Sequence, residues 1–113
     1  MPTNKIMWLM QGIPGSGKTT KAIAIAKEHC IYDILSTDAL LDFLGGYHGY
    51  TWAWENFNHI HAELHELTIA RAEALIRLGI PFIVDNTNIR VSNAMPYIKP
   101  AKAAGYEIRV VFC

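Results

Sequence analysis

A chain of 113 residues is long enough for one compact domain and too short for two, so we expect a single domain over residues 1–113. Because 51% of the residues are hydrophobic and only 18% are charged, the composition supports a packed core and excludes a disordered chain. Ten basic and ten acidic side chains give a formal net charge of +0, which argues against a large basic surface for duplex nucleic acid or acidic lipid.

The first half of the chain predicts two strand–helix pairs. Ile6–Met10 is apolar on both faces and precedes a glycine cluster, as a buried parallel strand does. The uninterrupted stretch 17–30 predicts a helix, with an apolar face made by Ile23, Ala26 and Cys30. A short strand over 32–36 and a short helix over 38–44, ended by two glycines, follow.

The second half predicts a longer helix and two more strands. Residues 45–56 show no clear period, so we expect an ordered loop or a short helix there. Apolar residues at three-and-four spacing predict an amphipathic helix over 57–78, followed by a strand over 80–84. A helix over 92–104 tolerates Pro96 if that residue lies in its first turn, whereas Pro100 removes an amide and is expected to bend or shorten the helix. Residues 108–112 form the last predicted strand.

Strands that alternate with helices indicate an α/β fold. We expect a mainly parallel sheet of about four strands, covered on both faces in three α/β/α layers. Ligands of such sheets bind beyond the carboxyl ends of the strands. Three segments lie at predicted strand exits: Gly12–Thr20, Ser36–Asp38 and Asp85–Asn88.

The first strand exit carries a phosphate-binding pattern. Residues 12–19 fit G-x-x-x-x-G-K-[ST], the P-loop or Walker A motif, between a strand and a helix. Glycines let main-chain amides wrap a polyphosphate, Lys18 follows the β- and γ-phosphates, and the Thr19 hydroxyl suits Mg²⁺. The predicted nucleotide-binding residues are Gly12, Pro14, Gly15, Ser16, Gly17, Lys18, Thr19 and Thr20. A glycine-rich turn that merely caps a helix explains neither the lysine nor the threonine.

Two carboxylates at the other exits are candidates for the chemistry. Asp38 is placed to accept the proton of an attacking hydroxyl, although Asp38 or Thr37 capping the next helix fits the spacing equally well. Asp85 ends an apolar strand as a Walker-B-type carboxylate does, and is predicted to hold Mg²⁺ through water. A simple cap or turn role is the alternative for Asp85.

Two further groups of side chains leave alternatives open. The aromatic residues Tyr47, Tyr50, Trp52 and Trp54 suit stacking on unpaired bases, although packing on one another is the commoner use of such a cluster. His61 and His65 stand one helical turn apart, but without an evident third ligand a structural or site-edge role is favoured over a metal site.

The chain resembles the kinase module of the polynucleotide 5′-hydroxyl kinase-like P-loop family over nearly its whole length. The residues that carry the resemblance are Gly12–Thr20, Ser36–Asp38, His65-Glu66 with Arg71-Ala72, Asp85–Asn88, and Pro96-Tyr97 through Gly105-Tyr106. The resemblance implies transfer of the ATP γ-phosphoryl group to a hydroxyl, commonly the 5′ end of a nucleic acid. It implies that Lys18 and Thr19 bind ATP–Mg²⁺ and that Asp38 is the general base. Asp85, Thr87 and Asn88 would organise the acceptor side.

The sequence departs from that family at two places. Leu41 stands where the phage-type enzymes carry an arginine for the acceptor phosphate, and the family continues after the fourth strand into a lid with arginines. Arg90 is a candidate replacement for a lid arginine, with a solvent-facing role as the alternative. We therefore expect binding to be less impaired than turnover, in a module that is truncated or completed by another polypeptide. A nucleotide-binding or assembly module without turnover and a small-molecule kinase are the alternatives.

Composition also bears on location and partners. Cys30 and Cys113 are too few for a disulfide scaffold, and no apolar run approaches the length of a membrane span, so a reducing cytoplasm is expected and a membrane is not. Cys30 is predicted to lie in the core. The edge of the fourth strand is a predicted surface for a second copy or a partner chain.

Overall fold

The computed structural model describes residues 5–12, 16–86 and 91–113. Its strands are β1 Ile6–Gln11, β2 Ile34–Leu35, β3 Phe82–Val84 and β4 Glu107–Phe112. Its α-helices are α1 Lys18–His29, α2 Thr37–Gly45, α3 Gly49–Phe57, α4 His61–Leu78 and α5 Val91–Ala103. Short 3₁₀ turns, Gly46–His48 and Asn58–Ile60, precede α3 and α4.

The strands form one parallel sheet in the order β2-β3-β1-β4. β1 pairs with β3 from Met7–Phe82 to Leu9–Val84, and with β4 along its whole length. β1 and β3 are therefore the inner strands, which explains why both are apolar on their two faces. β4 lies at one edge, with Val110 and Phe112 exposed.

Helices cover both faces of the sheet, which confirms the predicted three-layer α/β/α fold. On one face, α4 and α5 bury a core that includes Leu9, Phe82 and Tyr97. On the other face, α1 packs against Met10 and Ile83. A smaller cluster, built on Leu41, Ala53 and Leu64, joins α2, α3 and α4.

The buried face of α1 differs from the predicted one. Ala22, Ile25 and Ala26 are buried, whereas Ile23 is 44% exposed. Cys30 is exposed and stands in the left-handed conformation (φ 56°) directly after the helix, so its prediction as a core residue is wrong. Because alanine contributes little to an apolar pattern, the predicted buried face of α1 is displaced by one residue.

The aromatic segment after α2 is helical. Residues 46–57 form a 3₁₀ turn and α3, and the predicted long helix begins only at His61. A Cβ at Gly45 would lie 2.8 Å from Cβ of Ala53, so a glycine at the end of α2 lets α3 pack directly against it. Tertiary packing therefore stabilises a helix that the local sequence only weakly favours.

Both prolines of α5 lie inside the helix. Pro96 lies beyond the first turn, and the helix continues past Pro100 to Ala103, so Pro100 does not shorten it. A proline removes the amide that bonds the carbonyl four residues earlier. Pro96 is exposed and Pro100 half-buried, four residues apart on one face, so water has access to the side of the helix that loses these bonds. Within the described ranges, no helix has the length and apolarity needed to span a bilayer.

Candidate functional site

The phosphate-binding segment joins β1 to α1. Gly17 precedes the helix with φ 82°, and a Cβ at Gly12 would lie 2.7 Å from Oγ of Ser16. Gly17 is favoured by its left-handed backbone conformation, and Gly12 leaves room for the Ser16 side chain to approach closely. Pro14 and Gly15 lie outside the described residues, whereas Thr19 and Thr20 begin α1 and are exposed.

Lys18, at the start of α1, and Asp85, directly after β3, form a buried ion pair. Lys18 Nζ lies 2.6 Å from Oδ1 of Asp85, and the two side chains are 10% and 4% exposed. The Thr19 hydroxyl donates a 3.0 Å hydrogen bond to Oδ2 of the same carboxylate. The predicted phosphate lysine, the predicted Mg²⁺ hydroxyl and the strand-end carboxylate therefore meet at one point.

Polar atoms at the phosphate-binding segment remain available to a ligand. Among the described residues, three buried polar side-chain atoms have no hydrogen-bond partner: Oγ of Ser16, Nε2 of Gln11 and Nε1 of Trp8. A buried polar atom without a partner is costly, and a phosphate oxygen bound at the segment would satisfy the Ser16 hydroxyl. With the adjacent lysine and the hard hydroxyl oxygen of Thr19, the residues fit a nucleoside triphosphate with Mg²⁺.

Asp38 is not the cap of its helix. Oγ of Ser36 accepts the hydrogen bond of Ala39 N at 3.2 Å, so Ser36 caps α2 and Asp38 lies in the first turn. Oδ1 of Asp38 instead accepts a 3.3 Å hydrogen bond from the Tyr50 hydroxyl and lies 3.9 Å from Nε2 of His61. The capping alternative for Asp38 is thereby removed, and its role as a base stays a prediction.

The Tyr50 hydroxyl is a stable donor to this carboxylate. Partial burial, then the negative charge of Asp38 and the hydrogen bond to it, raise the pKa of Tyr50 above its ordinary value. The phenol therefore stays protonated at neutral pH and couples α3 to the start of α2.

A buried network fixes the start of α2 from behind. Oδ1 of Asn86 accepts from Thr37 N at 2.8 Å, and Nδ2 of Asn86 donates to the Tyr97 hydroxyl at 2.9 Å. The Thr37 hydroxyl donates to Thr68 and lies 3.3 Å from Nδ1 of His65. Because that hydroxyl has one proton, the network assigns the His65 contact as a donation from Nδ1–H, in line with the structural role expected of this histidine.

These elements enclose a groove of about 680 Å³ beside Asp38. The side chains of α2, α3, α4 and α5 form its walls, with Asn86 at the end of β3. They are Thr37, Asp38, Tyr50, Trp54, His61, Ala62, His65, Asn86, Ser92, Asn93 and Pro96. A cleft of this size matches those that hold small organic ligands.

The aromatic segment divides between two roles. The rings of four residues are in contact in series, with centroids 4.2, 4.2 and 5.8 Å apart: Tyr47 is tilted against His48, His48 stacks on Trp52, and Trp52 meets Phe57 edge to face. Tyr50 and Trp54 line the groove instead. The sequence signal that could have identified Tyr50 and Trp54 as groove residues is their i, i+4 spacing, which places both rings on one helix face if the segment is helical.

Some predicted site residues cannot be placed. Thr87, Asn88 and Arg90 lie outside the described residues. Leu41, at the position of the family arginine, is fully buried in the cluster between α2 and α4. It therefore contributes packing and not a contact to a ligand.

A family model described as an AAA domain matches residues 7–113, nearly the whole chain. The chain belongs to this AAA domain family. The matched range contains the phosphate-binding segment, α1–α5 and the whole sheet except Ile6, the first residue of β1.

Two other proteins are similar to this AAA domain. The crystal structure of a candidate kinase from Chloroflexus aurantiacus matches the chain with a TM-score of 0.72 and 21% sequence identity. The match covers 100% of this chain and 60% of the Chloroflexus chain, which shows a shared fold. NEDD4-binding protein 2 of Homo sapiens is 30% identical over 105 residues. The match covers 91% of this chain and only 6% of the human protein.

Proposed function

We propose that this AAA domain is an ATP-dependent phosphotransferase that phosphorylates a hydroxyl, most specifically the 5′-hydroxyl of a nucleic acid strand. The observation that carries the proposal is the convergence of Lys18, Thr19 and Asp85, with Lys18 Nζ 2.6 Å and the Thr19 hydroxyl 3.0 Å from oxygens of the Asp85 carboxylate. The kinase-like fold and the resemblance to polynucleotide kinases support it.

The residues divide the reaction between two sides of the sheet edge. On the nucleotide side, the amides of residues 12–19 and Lys18 bind the triphosphate, and Thr19 with Asp85 would hold Mg²⁺, which neutralises phosphate charge. Arg90 is proposed as an additional positive charge for the transferring phosphate.

On the acceptor side, Asp38 accepts the proton of the acceptor hydroxyl while the oxygen of that hydroxyl forms a bond to the γ-phosphorus. The bond from the γ-phosphorus to the bridging oxygen breaks, and its electron pair leaves with ADP. Thr87 and Asn88 are proposed to position the acceptor.

A transfer assay with γ-labelled ATP tests this function, using 5′-hydroxyl oligonucleotides and free nucleosides as acceptors beside a titration of ATP binding. Asp38→Asn should lower turnover by about 10²–10⁴-fold while ATP affinity is retained. Asp42→Asn is the matched control, because Asp42 is an exposed carboxylate one turn later on α2. Equal loss of turnover and ATP affinity in Asp38→Asn would contradict the role of a base.

An assembly role is a second candidate, favoured by the edge strand. β4 leaves one edge of the sheet with Val110 41% and Phe112 77% exposed. Exposed apolar edge strands pair readily with other chains. ATP binding without transfer to any acceptor, together with self-association, would favour this function, whereas transfer to nucleosides alone would favour a small-molecule kinase.

The setting of this activity is proposed to be a reducing compartment such as the cytoplasm. Cys30 and Cys113 are both free and exposed thiols. Such thiols persist where disulfides are kept reduced.

A further inference from the structure

The groove beside Asp38 has one aromatic wall. Tyr50 and Trp54 stand one turn apart on α3, and both line the groove. Trp54 is 45% exposed, and a T-shaped contact with His61, at 5.6 Å between ring centroids, orients its indole. A large exposed aromatic surface inside a cleft is suited to stacking on a flat ring.

The aromatic wall is coupled to the carboxylate. The Tyr50 hydroxyl bonds to Oδ1 of Asp38, and Tyr50 stands on the same helix face as Trp54. A ring that stacks on Trp54 is therefore held at a fixed offset from Asp38. An acceptor that carries its hydroxyl on a short arm from such a ring meets this geometry.

The remaining groove residues are mostly uncharged. Of the described lining residues, Asp38 is the one acidic group, and the basic ones are the histidines His61 and His65. Recognition of a phosphate backbone normally uses arginine and lysine. The described walls are thus better matched to a neutral heterocyclic ring than to a phosphate.

We infer that Trp54, supported by Tyr50, is the specificity-determining residue of the acceptor groove and binds the base of a nucleoside whose hydroxyl faces Asp38. This inference rests on the proposed function. The same chemistry is offered by a free nucleoside and by the terminal nucleoside of a single strand. In both cases the base, and not the phosphate that follows it, provides the recognition.

Steady-state transfer kinetics with acceptor variants test the inference. Trp54→Ala should raise the acceptor KM roughly 10- to 100-fold, as the loss of one base–aromatic stack does, with kcat at saturating acceptor and the KM for ATP retained. Trp54→Phe should recover most of the loss. Tyr47→Ala is the matched control, since Tyr47 is an aromatic residue 95% exposed in the same segment and outside the groove.

An acceptor without its base provides the complementary change. For the wild-type protein, an oligonucleotide with an abasic 5′ end should show the same KM increase as Trp54→Ala shows with the normal end. The two changes together should cost no more than either alone. Equal KM values for normal and abasic ends in the wild-type protein would overturn the inference while leaving the proposed function intact.

A binding measurement separates the two proposals. Free nucleoside and 5′-hydroxyl oligonucleotide are titrated against the protein by tryptophan fluorescence, with the abasic oligonucleotide as reference. The inference is supported, even if no phosphoryl transfer is detected, when the ligand quenches tryptophan fluorescence only if it carries a base, and when this quenching is absent in Trp54→Phe, which has no indole at position 54. Quenching that is indifferent to the base, or that survives in Trp54→Phe, overturns it. Similar affinities for nucleoside and oligonucleotide identify the base as the recognised part, and an affinity that appears only with the oligonucleotide contradicts it.

Discussion

The buried pair of Lys18 and Asp85 makes a quantitative prediction about the nucleotide-free protein. Both side chains are at most 10% exposed, and their charged atoms are 2.6 Å apart. Removing one member leaves the other charge buried and uncompensated. Lys18→Met and Asp85→Asn should each lower the free energy of unfolding by about 3–5 kcal/mol.

The double variant should be more stable than either single variant. With neither charge present, no desolvated ion is left, and an asparagine oxygen at position 85 can still accept the 3.0 Å hydrogen bond of Thr19. Replacing a buried ion pair by neutral groups is often close to neutral for stability. We therefore expect a coupling of at least about 2 kcal/mol between the two positions, well above the scatter of independent sites.

Urea denaturation in the absence of nucleotide measures this cycle, and ATP titration of the same four proteins provides the second readout. Stability should be regained in the double variant, whereas ATP binding should not, because the lysine that binds phosphate is still missing. Strictly additive losses in stability would refute the reasoning, since they would mean that the two charges do not depend on one another.

Three further predictions concern stability away from the nucleotide. Tyr106→Phe should cost about 1–2 kcal/mol in thermal or urea unfolding, because the one hydroxyl proton of Tyr106 is shared between the main-chain carbonyls of Ile80 at 2.8 Å and Leu75 at 3.1 Å. Burial raises the pKa of Tyr106 above 10.0 in the folded protein. The contribution of Tyr106 to the free energy of unfolding is therefore present below pH 10.0 and is lost as the pH rises through the folded pKa. If the stability of Tyr106→Phe fell as steeply above pH 10.0 as that of the wild type, this explanation would be contradicted. Asn86→Ala should cost about 1–3 kcal/mol in the same denaturation assay, because the buried Thr37 amide loses its acceptor; unfolding curves that match those of the wild type would contradict this role of Asn86. Gly45→Ala should cost about 1–3 kcal/mol through the clash with Ala53, and adding Ala53→Gly should relieve it; unfolding curves that show no relief would rule out the contact as the cause.

The order of elements and the position of the phosphate-binding segment were predictable because they rest on local signals. The glycine spacing up to Lys18 is set by how a backbone wraps phosphate, and apolar runs such as Ile6–Met10 reveal buried strands. Each of these two signals lies within a few consecutive residues and does not depend on tertiary contacts. The alternation of strands and helices then fixes a parallel sheet, although not the position of β1 between β3 and β4.

The aromatic half of the groove was not predictable for a physical reason. Whether 46–57 is helical depends on Gly45 meeting Ala53, a contact between α2 and α3 that no local pattern reveals. Only after the segment is helical do Tyr50 and Trp54 share a face. The helix of α5 was predicted, but the effect of Pro100 on it was not, because the cost of a proline depends on whether the side of the helix that loses hydrogen bonds meets water.

The strand order carries a consequence for synthesis on the ribosome. β1 emerges first, but its hydrogen-bonding partners are residues 82–84 and 107–112. Until those strands leave the exit tunnel, β1 is an apolar strand with both edges unpaired, and Lys18 lacks its partner Asp85. Chaperone binding during translation should therefore concentrate on β1 and end only when β4 has been released.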